Sequence, residues 1–196
     1  SERDSALYTN PQTREEQQLV KELQNITGLE AHVANAAELQ LRADGDPLDA
    51  HPSSVDVGAI RSILTNKQIL VVPGFIAVDS GNRVVLLGRG GSDLTAVHLA
   101  AQLDPIATTI IRDVDGMYTH DPALIRGELQ RYHRINYEDV AKLDASVMQP
   151  KALEYARRHG VVLTVRASDT TGGTLVGPGR TVVEADRSHH ENNVKS

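Results

Sequence analysis

Cysteine is absent from the 196 residues, which excludes a disulfide framework and a thiolate zinc site. Tryptophan is absent as well, with one Phe and five Tyr in the whole chain. The core must therefore be aliphatic and rich in alanine, and a base-stacking surface for single-stranded nucleic acid is not expected. Positive charge is in short supply too: 20 Lys and Arg against 26 Asp and Glu give a formal net charge of -6. That balance argues against binding a nucleic-acid backbone, although a single nucleotide held by local donors is compatible with it. Long apolar runs are missing. The longest, residues 69–78, is broken by Pro73-Gly74 and is too short to span a bilayer. No signal peptide is visible, so the cytoplasm is the expected compartment. The chain begins at Ser1 and not at Met, as a fragment, a processed product or a fusion would. What remains is ordinary for a globular protein: 40% hydrophobic and 23% charged residues, in a length that suits one domain.

The most informative stretch is Gly88-Arg89-Gly90-Gly91-Ser92-Asp93. The apolar run 84–87 leads into it and a helical pattern over 94–103 leads out. Strand, glycine turn and helix together present backbone N–H groups and a positive helix end to an anion. Gly90 and Gly91 allow backbone to approach a ligand closely. Ser92 is placed to cap the helix, and Asp93 falls in its first turn. Arg89 projects from the turn and can grip a carboxylate or phosphate through two parallel hydrogen bonds. On spacing alone a plain glycine-rich turn is an equal alternative. The stretch is not a Walker A loop, because no Gly-Lys-Ser/Thr follows, and not GxGxxG, because Asp93 replaces the last glycine.

Taken with its neighbours, the stretch says more. Residues 87–96, Leu-Gly-Arg-Gly-Gly-Ser-Asp-Leu-Thr-Ala, resemble the LGRGGSD-x-TA signature of aspartokinases in the amino acid kinase family. Residues 113–122, Asp-Val-Asp-Gly-Met-Tyr-Thr-His-Asp-Pro, resemble that family's nucleotide-site motif DVDG-x-Y-x-x-DP, and residues 71–75 resemble its VVPGF strand end. Order and interval also match, and the likeness runs over about residues 11–176. The resemblance implies a three-layer α/β/α sandwich with a mainly parallel sheet, here without the family's opening strand. It implies a role in amino-acid biosynthesis, with transfer of the ATP γ-phosphoryl group to a side-chain carboxylate of aspartate or a similar small amino acid. Arg89 would hold a substrate carboxylate, with Gly90, Gly91 and Ser92 around it and Asp93 ordering the catalytic centre. Glu15 and Glu16 are both candidates for the family's substrate-binding glutamate. Arg112, Asp113, Asp115, Gly116, Tyr118, Asp121 and Ser146 would line the nucleotide side. Mg²⁺ would bridge the phosphates, held mostly by substrate and water, so no protein metal site is expected.

Three departures bear on turnover. The family's Lys-Phe-Gly-Gly-Thr/Ser stretch, which grips the transferring phosphate, has no counterpart in this chain. The lysine of the family's GAKVLHP segment falls on Ser146, and the threonine before DVDG is Arg112. Loss of one charge-stabilising contact costs about 3 kcal/mol, or ~100-fold in rate. Turnover by this chain alone is therefore expected to be very slow. The alternative is a degenerate kinase-like domain that binds a small molecule or partner, such as a regulatory domain of a homoserine dehydrogenase-type protein. Without an opening strand, part of the sheet would be left uncovered, and a homo-oligomer is expected.

Along the chain, residues 1–11 read as a polar extension, 12–180 as the kinase-like domain and 181–196 as a polar tail expected to be disordered. Helical spacing covers 12–26, with Leu19, Leu23 and Ile26 on one face. Residues 31–34 are a strand candidate, and 36–39 a short helix capped by Asn35. Residues 42–54 read as a surface loop, whose Asp44, Asp46 and Asp49 are solvated and not a cation site. Helical spacing returns over 55–64, and 69–72 reads as a buried parallel strand. After a turn at 79–82 and the strand at 84–87, another strand is expected over 106–111. It delivers Asp113 and Asp115 at its C-terminal end, where ligands of open α/β sheets gather. Arg89 and Asp113 are expected to open onto one cleft. An EF-hand reading of 113–116 fails, because Ile111 and Pro122 occupy ligand positions. Tyr118 either stacks on a base or fills the core. Residues 123–135 read as a surface excursion, 137–143 as a helix capped by Asn136, and 150–160 as a helix opened by Pro150 and closed by Gly160. Residues 161–165 read as a core strand and 174–176 as an edge strand. His189-His190 reads as part of a solvated tail and not a metal site.

Overall fold

A computed structural model describes residues 14–119, 130–143 and 148–184, with side chains from residue 16 onward. The chain divides after Asp104 into two compact units.

The first unit runs α1 (Arg14–Thr27), β1 (Ala31–Val33), β2 (Arg42–Asp44), β3 (His51–Ser54), α2 (Val57–Asn66), β4 (Ile69–Val71), β5 (Ile76–Val78), β6 (Val84–Leu86) and α3 (Gly91–Leu103). β1 and β4 pair in parallel, with Ala31 opposite Ile69. A second sheet has the order β3-β2-β5-β6, in which β2 and β5 are parallel and the two hairpins are antiparallel. Ala34, Leu39 and Ile60 form an aliphatic core with Leu70, Val72 and Leu99 around it, as the scarcity of aromatics requires. α2 begins where the Asp56 carboxylate accepts the Ala59 N–H, which satisfies one orphan donor of the first turn.

The second unit runs β7 (Thr109–Arg112), β8 (Tyr132–Ile135), α4 (Tyr137–Val140), α5 (Pro150–His159), β9 (Leu163–Ala167), β10 (Thr174–Val176) and β11 (Val182–Val183). Its sheet has the order β11-β8-β10-β9-β7. β7 and β9 are parallel, as are β8 and β10, while β9–β10 and β8–β11 are antiparallel. Asn136 caps α4 by accepting the Asp139 N–H. Gly160 closes α5 in a left-handed conformation, with Arg157, Arg158 and His159 in the last turn.

Several local expectations need correction. The supposed loop over 42–54 contains the β2–β3 hairpin, and its connection bonds to β6 through Leu86 N–H to Pro47 O and Ala50 N–H to Leu86 O. Residues 36–39 form a turn and not a helix, although the Glu38 N–H does bond to the Asn35 side chain. On the apolar face of α1, where only the helical period was expected, Leu23 is half-buried, Leu19 is 45% exposed and Ile26 83%. Residues 132–135 are strand β8 and not excursion. β10 lies inside its sheet and not at the edge, and the chain beyond Gly177 adds β11. Residues 185–196, with His189 and His190, lie outside the described residues. Among the described residues, no helix is long and apolar enough to cross a membrane.

Candidate functional site

Two loops carry the residues singled out from the sequence. The first joins β6 to α3. Gly88 and Gly90 hold φ values of 72° and 75°, so the chain turns twice through the left-handed region that glycine enters at little cost. Gly90 is the N-cap, and no side chain caps α3. The expectation that Ser92 would cap is wrong: Ser92 is the second residue of the helix, and its side chain is exposed. Arg89 is exposed beside it, whereas Asp93 is buried at 9% exposure.

Packing beneath the loop is tight. A Cβ on Gly91 would lie 2.7 Å from Phe75 Cδ2 and 2.9 Å from Leu87 Cβ. A Cβ on Gly88 would meet Asp49 Oδ1 at 1.8 Å, and one on Gly74 would meet Ser92 Cα at 3.0 Å. The Val-Val-Pro-Gly-Phe segment thus lies under the glycine loop. Thr95 ties the two together: its Oγ1 accepts the Phe75 N–H at 3.1 Å and donates to Gly91 O at 2.9 Å. Phe75 has φ 75°, unusual for an aromatic residue, and is 38% exposed. Strain of this kind clusters at functional positions. A rigid backbone bearing two exposed side chains at the positive end of a 13-residue helix suits a carboxylate or phosphate.

The second loop follows β7. Arg112 ends the strand half-buried, and Asp113 is exposed just beyond it. Asp115 turns back into a side-chain network. The Tyr118 hydroxyl donates to Asp115 Oδ1 at 2.7 Å. Arg131 Nη1 donates to Asp115 O at 3.1 Å and Oδ2 at 3.2 Å, and Arg131 Nη2 donates to Glu184 Oε1 at 2.8 Å. Burial, then the hydrogen bond to Asp115, push the Tyr118 phenol above its ordinary pKa. The bond to Glu184 does most to raise the Arg131 pKa. Gly116, at φ 153°, leaves no room for a side chain: a Cβ there would lie 2.8 Å from both Arg131 Cδ and Thr174 Oγ1. Thr174 is fully buried. Its Oγ1 accepts the Met117 N–H at 2.8 Å and donates to Tyr132 O at 2.7 Å.

Six of the expected residues, Arg89 through Asp93 and Gly88 before them, thus share one loop. Arg112, Asp113, Asp115, Gly116 and Tyr118 share the other. Glu16 is half-buried on α1, in a different element from either. Asp121, Ser146 and the side chain of Glu15 lie outside the described residues. Arg131, Thr174 and Glu184 were not anticipated. Among the described residues, no group of three or more His, Asp or Glu is arranged to hold a metal ion.

Residues 13–167 match the model of the amino acid kinase family. The chain belongs to that family. An aspartokinase of Thermus thermophilus is 39% identical over 143 residues, covering 71% of this chain and 35% of the relative. Aspartokinase III of E. coli in complex with lysine and aspartate superposes with a TM-score of 0.65 at 27% identity, over 81% of this chain and 37% of the other. The same enzyme in complex with aspartate and ADP gives 0.63 at 26% identity, with the same coverage. The chain spans little more than a third of the length of these relatives. Its α/β fold is that of the amino acid kinases, as expected from the two long motifs, and the chain is aspartokinase-like within the family.

Proposed function

We propose that this aspartokinase-like chain carries the carboxylate-binding half and part of the nucleotide-binding half of a phosphoryl-transfer site acting on aspartate or a similar small amino acid. The observation that carries this reading is the β6–α3 loop, with Arg89 and Ser92 exposed at the helix N-terminal end on a glycine backbone. Arg89 grips one substrate carboxylate in a fork, and the helix end favours its negative charge. Asp93 orders the loop from beneath. On the nucleotide side, the exposed Asp113 faces the adenosine, with Arg112, Asp115, Gly116, Tyr118, Asp121 and Ser146 as further members of the set. ATP is the phosphoryl donor. Mg²⁺, when bound, neutralises charge on the phosphates and is held by phosphate oxygens and water. A cytoplasmic, biosynthetic setting belongs to the same reading.

Catalysis by the 196-residue chain alone is slow on this reading, because Ser146 stands at a lysine position and no Lys-Phe-Gly-Gly stretch is present in it. The same two features favour a second reading, a binding or regulatory module without turnover, including one within a homoserine dehydrogenase-type protein. The exposed Leu19 and Ile26 of α1 support self-association. Light scattering that shows a clean monomer at high concentration would count against it.

Calorimetry with aspartate and with ATP, beside a coupled kinase assay, tests the whole. Arg89→Ala is expected to weaken aspartate binding by about 10- to 100-fold, the worth of a charge-assisted contact. Ser146→Lys is expected to strengthen ATP binding. Robust turnover by the purified chain would favour the enzyme over the module, and failure to bind either ligand would overturn both.

A further inference from the structure

Arg131 belongs to neither motif, yet its guanidinium bonds to both the backbone and the side chain of the nucleotide-side loop. Three separate elements converge there. The guanidinium comes from the residue just before β8 and reaches both the backbone and the carboxylate of Asp115. Its other nitrogen is held by Glu184, from the segment just after β11. The Glu184 N–H in turn donates to Arg131 O at 2.8 Å, so backbone and side chain register the same pair. The aliphatic part of Arg131 fills the space that the missing side chain of Gly116 leaves open. Tyr118 closes the network from the other side through its hydroxyl on Asp115.

We infer that Arg131 is a positioning residue: clamped by Glu184, it locks the Asp115–Tyr118 turn in the conformation that meets the nucleotide. This rests on the nucleotide reading of that loop given above. The Asp115 carboxylate is then engaged with Tyr118 and Arg131, and its part is to hold the turn. Contact with the ligand falls to the exposed Asp113. Preorganisation of this kind raises affinity without a direct contact, because the ordering cost is met before the ligand arrives.

The test uses the full chain with ADP as probe, and it reads backbone amide exchange without ligand alongside calorimetric affinity. Arg131→Met keeps the aliphatic bulk and removes the fork. It is expected to speed exchange of the 115–118 amides by about tenfold and to weaken ADP binding by about tenfold, the scale of one charged hydrogen-bond pair. Amides of β7 and β9 should keep their rates. Arg131→Lys, which reaches one partner at a time, should recover part of both effects. Glu184→Gln should act in the same direction and less strongly, and it decides the matter if Arg131→Met does not fold. Unchanged exchange over 115–118, or exchange raised equally throughout the unit, overturns the inference. If the unaltered chain binds no ADP, the nucleotide reading fails, and the exchange measurement still decides whether Arg131 locks the turn.

Discussion

The two loops solve the same problem in different ways. Both must hold a glycine-containing turn at the end of a strand. The β6–α3 loop does it with backbone: left-handed Gly88 and Gly90, a helix that begins at Gly91, and close packing on Phe75 and Leu87. Its functional side chains, Arg89 and Ser92, are left exposed. The loop after β7 does it with side chains drawn from positions 131, 174 and 184, and it engages the Asp115 carboxylate with Arg131 and Tyr118. Rigidity from neighbouring residues leaves side chains available for a ligand. Rigidity from distant residues uses them up.

The difference is measurable, and the largest effect is expected at Thr174. Thr174→Val keeps the volume and leaves the buried Met117 N–H without its acceptor. Stranding a buried donor costs about 1–3 kcal/mol, and the lost bond to Tyr132 O adds to it. A loss of about 2–3 kcal/mol in denaturant unfolding is expected. The counterpart in the first loop, Thr95→Val, should cost only about 1 kcal/mol, because its acceptor Gly91 O belongs to the same helix and Phe75 is partly exposed. Equal losses would erase the distinction between the loops.

Next in size is Gly91→Ala. The new Cβ would press on Leu87, which is fully buried, and on Phe75, which can give way. Overpacking costs about 1–3 kcal/mol, and the better helix propensity of alanine returns up to about 1 kcal/mol. A net loss of about 1–2 kcal/mol is expected, with Arg89 still exposed but displaced. A stabilised variant would show that Gly91 is not held by close approach, and the backbone account of the first loop would fall.

The same contrast explains what could be read from the amino-acid order. Everything that shapes the β6–α3 loop lies between Pro73 and Thr95, so strand, turn and helix patterns were enough to place Arg89, Asp93 and the glycines. Asp49 was the exception. It approaches Gly88 from a stretch whose Asp, Gly and Pro content reads as loop although it is a hairpin connection. In the second unit the local pattern located Asp113 and the caps of α4 and α5, but not the support. β10 was legible as a strand over 174–176, but its place between β8 and β9 was not, and β11 is two residues long, too short for a period to register. Their pairing with β8 is what brings Thr174 and Glu184 to the loop. The helical period of α1 was legible, but a period says only that an apolar stripe exists, not that anything covers it. Leu19 and Ile26 have the stripe without the cover.

The smallest effect is a matter of pH. Among the described residues every tyrosine, at 118, 132, 137 and 155, lies beyond Asp104, so an alkaline loss of stability from tyrosine belongs to the second unit. Tyr118 has its pKa raised by burial and by Asp115, and Tyr137 by burial, with its hydroxyl donating to Val161 O. A phenol whose folded pKa exceeds the unfolded value of about 10 favours the fold while protonated. That contribution is complete below about pH 10 and is lost as pH rises through the raised value. Unfolding curves taken between about pH 9 and 11.5 should therefore show stability falling with pH. Tyr118→Phe and Tyr137→Phe should each remove part of the slope. In Arg131→Met the slope should steepen, because the guanidinium lowers the Tyr118 pKa and its removal lets the shift grow. Amide exchange in the β6–α3 loop should not follow this titration. A first loop that loosens in step with the phenols would mean that the two loops are not held independently.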